Sequence, residues 1–223
     1  LVGPVSLAQD KPLSQAELAK LPMYERMLKG DDAKKLADLN RKRAAAGSQD
    51  EAIKLQEEVI ALRTRVQGAD HWEVINEQVT LKTLRTLDAD GRRDRLAARQ
   101  ANAKGEQLNA QGRYTEAQLL FQKALDIQRK VLGENHPDTA QSYNNLAMNL
   151  TAQGKATEAR PLLQKALEIR RKVLGEDHPA TALSYNNVAL NLNDQGKAAE
   201  AQLLSQKALD IQRKVLGENH PDT

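Results

Sequence analysis

Between residues 138 and 153 the chain reads DTAQSYNNLAMNLTAQ, and Ala140, Tyr143, Leu146, Ala147 and Leu150 recur at intervals of three and four residues. That interval lines up one face of a helix, and it predicts a helix over 138–153. A second stripe, Ala159, Leu163, Ala166, Leu167, Ile169, Val173 and Leu174, predicts another over 157–174. Gly154 between them suits the left-handed turn that ends a helix, and Gly175 ends the second. Behind Pro137, the side chain of Asp138 or Thr139 is expected to cap the first. Alanines 147, 159 and 166 let paired backbones approach while the leucines fill the gaps.

This pair of stripes recurs. Residues 112–139, GRYTEAQLLFQKALDIQRKVLGENHPDT, return at 196–223 as GKAAEAQLLSQKALDIQRKVLGENHPDT, and a third version begins midway at Gly154, so the period is 42 residues. Self-similarity at such a period marks a solenoid, whose units bury their apolar faces only by stacking. Upstream, residues 47–74 align with 112–139 at an offset of 65 through Gly47, Glu51, Ala52, Gly68 and His71, which exceeds one period by 23. An additional helix fits that excess: one is expected over 73–87 and another over 92–111, with Gly91 as the turn. The first thirty residues, with Pro4, Pro12 and Pro22, read as an extended arm and a capping helix from Ser14 to Leu28. The organisation expected is therefore 1–30, arm and capping helix; 31–91, a worn repeat plus an extra helix; and 92–223, regular repeats.

Tyr143, Leu146, Ala147, Leu150 and Gly154, then Ala159, Leu163 and Ala166, resemble the tetratricopeptide repeat. The lengthened form with NNLA, QGK, EA, KALEI and KVLGEDHP is similar to the kinesin light chain type. The resemblance implies an all-α fold, a right-handed alpha-alpha superhelix of stacked helical hairpins. The proline usual after the second helix of such repeats is absent, with Arg171 in its place, so that helix is expected to run on through KVLG.

Charge narrows the functions. The chain holds 33 basic and 30 acidic residues interspersed along every helix, for a net +3, and only 3% aromatics. That balance argues against nucleic acid, which calls for a basic face and stacking rings. Cysteine is absent, which removes disulfides and thiolate chemistry. His136, His178 and His220 recur once per repeat, on the order of 10 Å apart by helix-packing distances, too far to share a metal ion. They read as turn formers bonded to the loop backbone. No nucleophile spacing or phosphate loop appears, so no enzyme, metal or cofactor is expected. Trp72, in place of the HP-turn proline, reads as a packing plug. No apolar run reaches the length of a membrane span. Residues 1–8, LVGPVSLA, look like the tail of a secretory signal peptide, which would place the protein in the periplasm or outside the cell, or read as an N-terminal arm, which leaves a cytoplasmic location open, and Thr223 stops where preceding copies begin their next helix.

The asparagines are the candidate site. In tetratricopeptide superhelices the first helix of each unit faces the concave groove, and that register would carry Asn102, Asn144 and Asn186 one below the other, with Asn145 and Asn187 beside them. Asn149 and Asn191, with Gln141, Met148 and Asn193, keep the groove polar and nearly neutral, and Arg99 and Glu106 put charge at its upper end. An amide offers donors and an acceptor together, so a row of them can grip an extended peptide backbone. The resemblance adds that an asparagine at the place of Asn145 helps hold a bound peptide. The competing role for these asparagines is to order the stack. The expected function is a non-catalytic interaction scaffold for a protein or peptide partner. The alternatives are a subunit stacking head-to-tail through its terminal repeats into an extracellular filament, and the sensor arm of a larger enzyme such as a caspase-like protease.

Overall fold

The computed structural model describes residues 12–218 and residue 220; the signal-like stretch 1–8 and the chain end at Thr223 lie outside the described residues. All regular structure among the described residues is helical, and the chain divides into two compact units, Leu1–Leu84 and Arg85–Thr223. The division falls ahead of the boundary at residue 91 read from the sequence.

In the first unit, α1 (Gln15–Leu18) and a 3-10 turn (Met23–Glu25) stand where one capping helix was expected. Ser14 does start a helix, its hydroxyl accepting from Glu17 N at 3.3 Å while Glu17 Oε2 accepts from Ser14 N at 2.8 Å. Pro22 then stops it, because proline lacks an N–H and pushes Leu21 away from helical geometry. Arg26 fastens the segment, donating to Leu21 O at 3.1 Å and Gln67 O at 3.1 Å and pairing with Asp70 at 2.7 Å.

Helices α2 (Gly30–Ala44) and α3 (Gln49–Gln67) form a hairpin around Leu39, Val59 and Leu62. Against them lies α4 (Trp72–Thr86), most of which belongs to this unit. The backbones of α3 and α4 stand further apart than those of the close helix pairs. Long polar side chains span the gap. Glu77 sits 3.1 Å from Arg43 and 3.3 Å from Arg63, Arg63 is 2.9 Å from Glu73, and Gln56 Nε2 donates to Glu77 Oε2 at 2.8 Å. Buried Gln67 also donates to Glu73. His71, fully buried, accepts from Glu73 N at 3.3 Å and reaches Met23 O at 3.2 Å. Trp72 is half-buried and stacks on His71, with ring centroids 5.8 Å apart.

The second unit contains α5 (Ala89–Ala110), α6 (Tyr114–Leu132), α7 (Pro137–Ala152), α8 (Ala156–Leu174), α9 (Pro179–Asp194) and α10 (Ala198–Leu216), each packed on its chain neighbours, with α5 also touching α7. Gly91 is not the turn ahead of α5. Asp88 caps the helix, its carboxylate accepting from Gly91 N at 2.7 Å, so Gly91 lies inside the first turn and Leu87–Asp88 make the bend. The cap of α7 also differs from expectation. His136 Nδ1 accepts from Asp138 N at 3.0 Å, and His178 does the same for Ala180 N at 3.0 Å ahead of α9. Thr139 instead closes the preceding turn by donating to Gly133 O at 2.8 Å. Gly154, at φ 76°, ends α7 as expected, with Lys155 N bonded to Leu150 O at 2.9 Å.

Small residues set the helix spacing here. Ala117, Ala140, Ala147, Ala159, Ala166, Ala182 and Ala208 are fully buried. Where Gly105 replaces the alanine found one and two periods on, at Ala147 and Ala189, an added Cβ would meet the Phe121 ring at 2.7 Å. The later copies place Leu163 and Ser205 opposite their alanines, so partner sizes compensate. Each inter-hairpin turn is latched: Tyr143 OH donates to Glu134 at 2.7 Å and Arg129 Nε donates to it at 2.8 Å, and Tyr185 and Arg171 repeat this on Glu176 at 2.6 and 2.8 Å.

Candidate partner-binding groove

Helices α5, α7 and α9 carry the sequence-predicted asparagines, and burial separates them into two layers. Asn149 and Asn191 are almost fully buried: Asn149 Nδ2 donates to Asn109 Oδ1 at 2.8 Å and Tyr114 O at 3.0 Å, and Asn191 Nδ2 to Ala156 O at 2.8 Å. They tie each first helix to the start of the next element through a carbonyl of its first residue, and the buried amide is thereby satisfied. This corrects their assignment as groove residues, since neither side chain reaches the surface. Asn102, Asn144 and Asn187 are buried too. Asn102 Nδ2 donates to Ser142 Oγ at 2.9 Å, whose hydroxyl donates to Gln128 Oε1 at 2.5 Å, and Asn187 Nδ2 donates to Asn144 Oδ1 at 2.6 Å. The column expected through Asn102, Asn144 and Asn186 is therefore a staggered set of bonds between neighbouring helices, with Asn186 half-buried beside it.

The accessible layer is narrower, and beneath it lies a residue type not anticipated. Arg170, on α8, is buried and donates to Ser184 Oγ at 2.8 Å, Ala180 O at 3.2 Å and Gln141 Oε1 at 2.6 Å. Gln141 Nε2 donates in turn to Asn145 Oδ1 at 2.6 Å, and Asn145 Nδ2 donates to Glu106 Oε1 at 3.1 Å. A guanidinium, two amides and a carboxylate thus form one chain of bonds with every donor aimed the same way. No carboxylate lies within ion-pair distance of Arg170 among the described residues, and burial pushes its guanidinium down to about 10, leaving it charged at neutral pH. The signal for it was available: one period either side of Arg170 stand Gln128 and Gln212.

Gln141 and Asn145 line a cavity of about 210 Å³ together with Arg99, Asn102, Glu106 and Asp138. Arg95 and Arg99 share Asp138, at 2.8 and 3.4 Å. Further along, the same periodic positions turn apolar. Leu183 stands where Arg99 and Gln141 stand in earlier copies, and Leu190 where Glu106 and Met148 stand. Both leucines are exposed, at 49% and 55%. Alignment of the copies could have shown them, whereas apolar periodicity within a single helix could not.

The described residues contain no cluster of three or more His, Asp or Glu able to hold a metal, and no helix among them is long and apolar enough to cross a membrane.

Comparison with known proteins accords with this architecture. A tetratricopeptide repeat model matches residues 97–155 and 140–214, and a second matches 44–73, over α3 and the turn after it. The chain belongs to the tetratricopeptide repeat family. In fold it is similar to the crystal structure of BtubC (BKLC) from P. vanneervenii, at 21% identity and a TM-score of 0.51, covering 83% of this chain and 75% of that one. It is also similar to nearly identical TPR-like repeats of the kinesin light chain kind from Podosopora anserina, at 22% identity and a TM-score of 0.49, covering 86% of this chain and 100% of that one. No curated protein matches the chain. A fold of this class is in general a protein-interaction scaffold, and such repeats are typically non-catalytic.

Proposed function

We propose that the second unit docks an extended segment of a protein partner across α5, α7 and α9. The observation supporting this is the oriented row of Gln141 and Asn145. Each amide spends one N–H and one oxygen lone pair inside the row, which leaves one donor and one acceptor for a ligand. Both residues are half-buried and line the cavity, and the bonds within the row hold their rotamers. Fixed, alternating donors and acceptors suit a peptide main chain, and ordering them beforehand lowers the entropy cost of binding. The buried asparagines beneath serve the scaffold.

The test is selection of random dodecapeptides displayed on phage against the purified chain, followed by binding of the selected peptides to the Gln141→Ala/Asn145→Ala variant. Loss of binding with helicity and melting temperature retained is the expected result. Peptides that bind the variant equally well, or the absence of any specific peptide, would overturn the reading.

A further inference from the structure

Resting on that docking role, we infer that the groove is graded and takes an extended segment carrying a Lys or Arg at its α5 end and an aliphatic side chain at its α9 end. The α5 end is short of donors. Glu106 is exposed and accepts only from Asn145, with no cation at ion-pair distance among the described residues, so its second oxygen is free. One helical turn away, Asn102 Oδ1 is buried and has no hydrogen-bond donor. Both residues line the same cavity. The arginines nearby do not fill that role, since Arg95 and Arg99 are turned to Asp138. An ammonium or guanidinium brings several N–H donors and a charge to these acceptors.

The α9 end has the opposite deficit. Leu183 and Leu190 lie two turns apart on one helix, with Met148 at the position equivalent to Leu190 on α7 and 37% exposed. Leu183 sits in register with Arg99 and Gln141, and Leu190 with Glu106 and Met148, and half-exposed as they are both contribute little to the core. A partner's aliphatic side chain would cover them at about 25 cal/mol per Å² of apolar area removed from water. The step from α5 to α9 is two helix-packing intervals, roughly 20 Å, which an extended chain spans in about six residues at 3.3 Å each. The segment expected thus has a basic residue and an aliphatic one separated by about six positions.

Sequencing the peptides selected above tests this directly. The expected outcome is enrichment of Lys or Arg about six positions from Leu, Ile or Met. Glu106→Gln, which keeps the acceptor for Asn145, should weaken those peptides about tenfold and abolish the enrichment of the basic residue alone. Leu183→Ser with Leu190→Ser should abolish enrichment of the aliphatic residue alone. Selected peptides that need Gln141 and Asn145 but are acidic, or are indifferent to Glu106→Gln and to the leucine changes, would overturn the graded groove while leaving the docking role standing. Absence of any peptide dependent on Gln141 and Asn145 would remove both.

Discussion

The two units solve the same problem, holding three or more helices side by side, with opposite chemistry. In Arg85–Thr223 buried alanines let helices meet closely, and leucine, tyrosine and phenylalanine fill what remains. In Leu1–Leu84 the apolar cluster centres on α2 and α3 with Leu28 against it, and α4, which buries Val74, is held largely through Arg43, Arg63, Gln56, Glu73 and Glu77. Close apolar packing needs only size matching and tolerates repetition, which is how the second unit can hold three versions of one repeat. A half-buried ionic layer needs its partners together, because a charge left alone in partly dry surroundings is costly. The worn repeat is worn at those places: Gln56 occupies the position of Phe121, and Arg63 that of Gln128, at the offset of 65.

The sharpest way to break this comparison is Glu77→Ala. It leaves half-buried Arg43 and Arg63 without a shared carboxylate and should cost about 2–3 kcal/mol, less than for a pair wholly out of water. Hydrogen exchange should accelerate across α2, α3 and α4, and unchanged protection there would mean the ionic layer does not hold the unit. Next is Gly105→Ala in the second unit, expected to cost about 1–3 kcal/mol because the Phe121 ring stands 2.7 Å from the new methyl. Adding Phe121→Leu recreates the Ala147–Leu163 pairing of the next copy and should restore most of the loss in a denaturant titration. Failure of that rescue would deny that partner size sets helix spacing. Asn149→Ala should cost about 1–3 kcal/mol, since Tyr114 O and Asn109 lose a buried donor. Asn145→Ala, at the surface of the same helix, should stay within about 0.5 kcal/mol. Melting curves of the pair separate scaffold from groove.

The smallest effect is in acid. Although partial burial opposes it, hydrogen bonds from Lys207, Tyr185 and Arg171 hold the Glu176 carboxyl at about 2, and the bond from Tyr143 lowers that of Glu134. A carboxylate depressed in the folded state binds fewer protons than in the unfolded chain. Its stabilisation is complete above the usual carboxylate range near 4.5 and disappears as pH falls towards 2. Thermal melts between those values should show the second unit losing stability, less so in the Glu134→Gln/Glu176→Gln variant.

Much of the fold was legible because its determinants are local and repeated. The intervals of Ala140, Tyr143, Leu146 and Leu150, and the glycines at 154 and 175, predict α7 and α8 to within a residue or two at each end. The histidine turns were legible for the same reason. Errors arose where one residue overrode a pattern: Pro22 broke the capping helix, and Asp88 moved a turn away from Gly91.

The candidate site was legible only as a register. Periodicity determined that asparagines recur along α5, α7 and α9, because an α-helix repeats its faces at fixed spacing. Which of them face outward was decided by tertiary structure, since an amide buries or exposes itself according to the acceptor opposite. Asn145 turns to Glu106, while the equivalent Asn187 finds Met148 at the matching place and bonds Asn144 instead. The orientation of the amide row depends on Arg170, a residue from another helix, brought beneath Gln141 only when the hairpins stack.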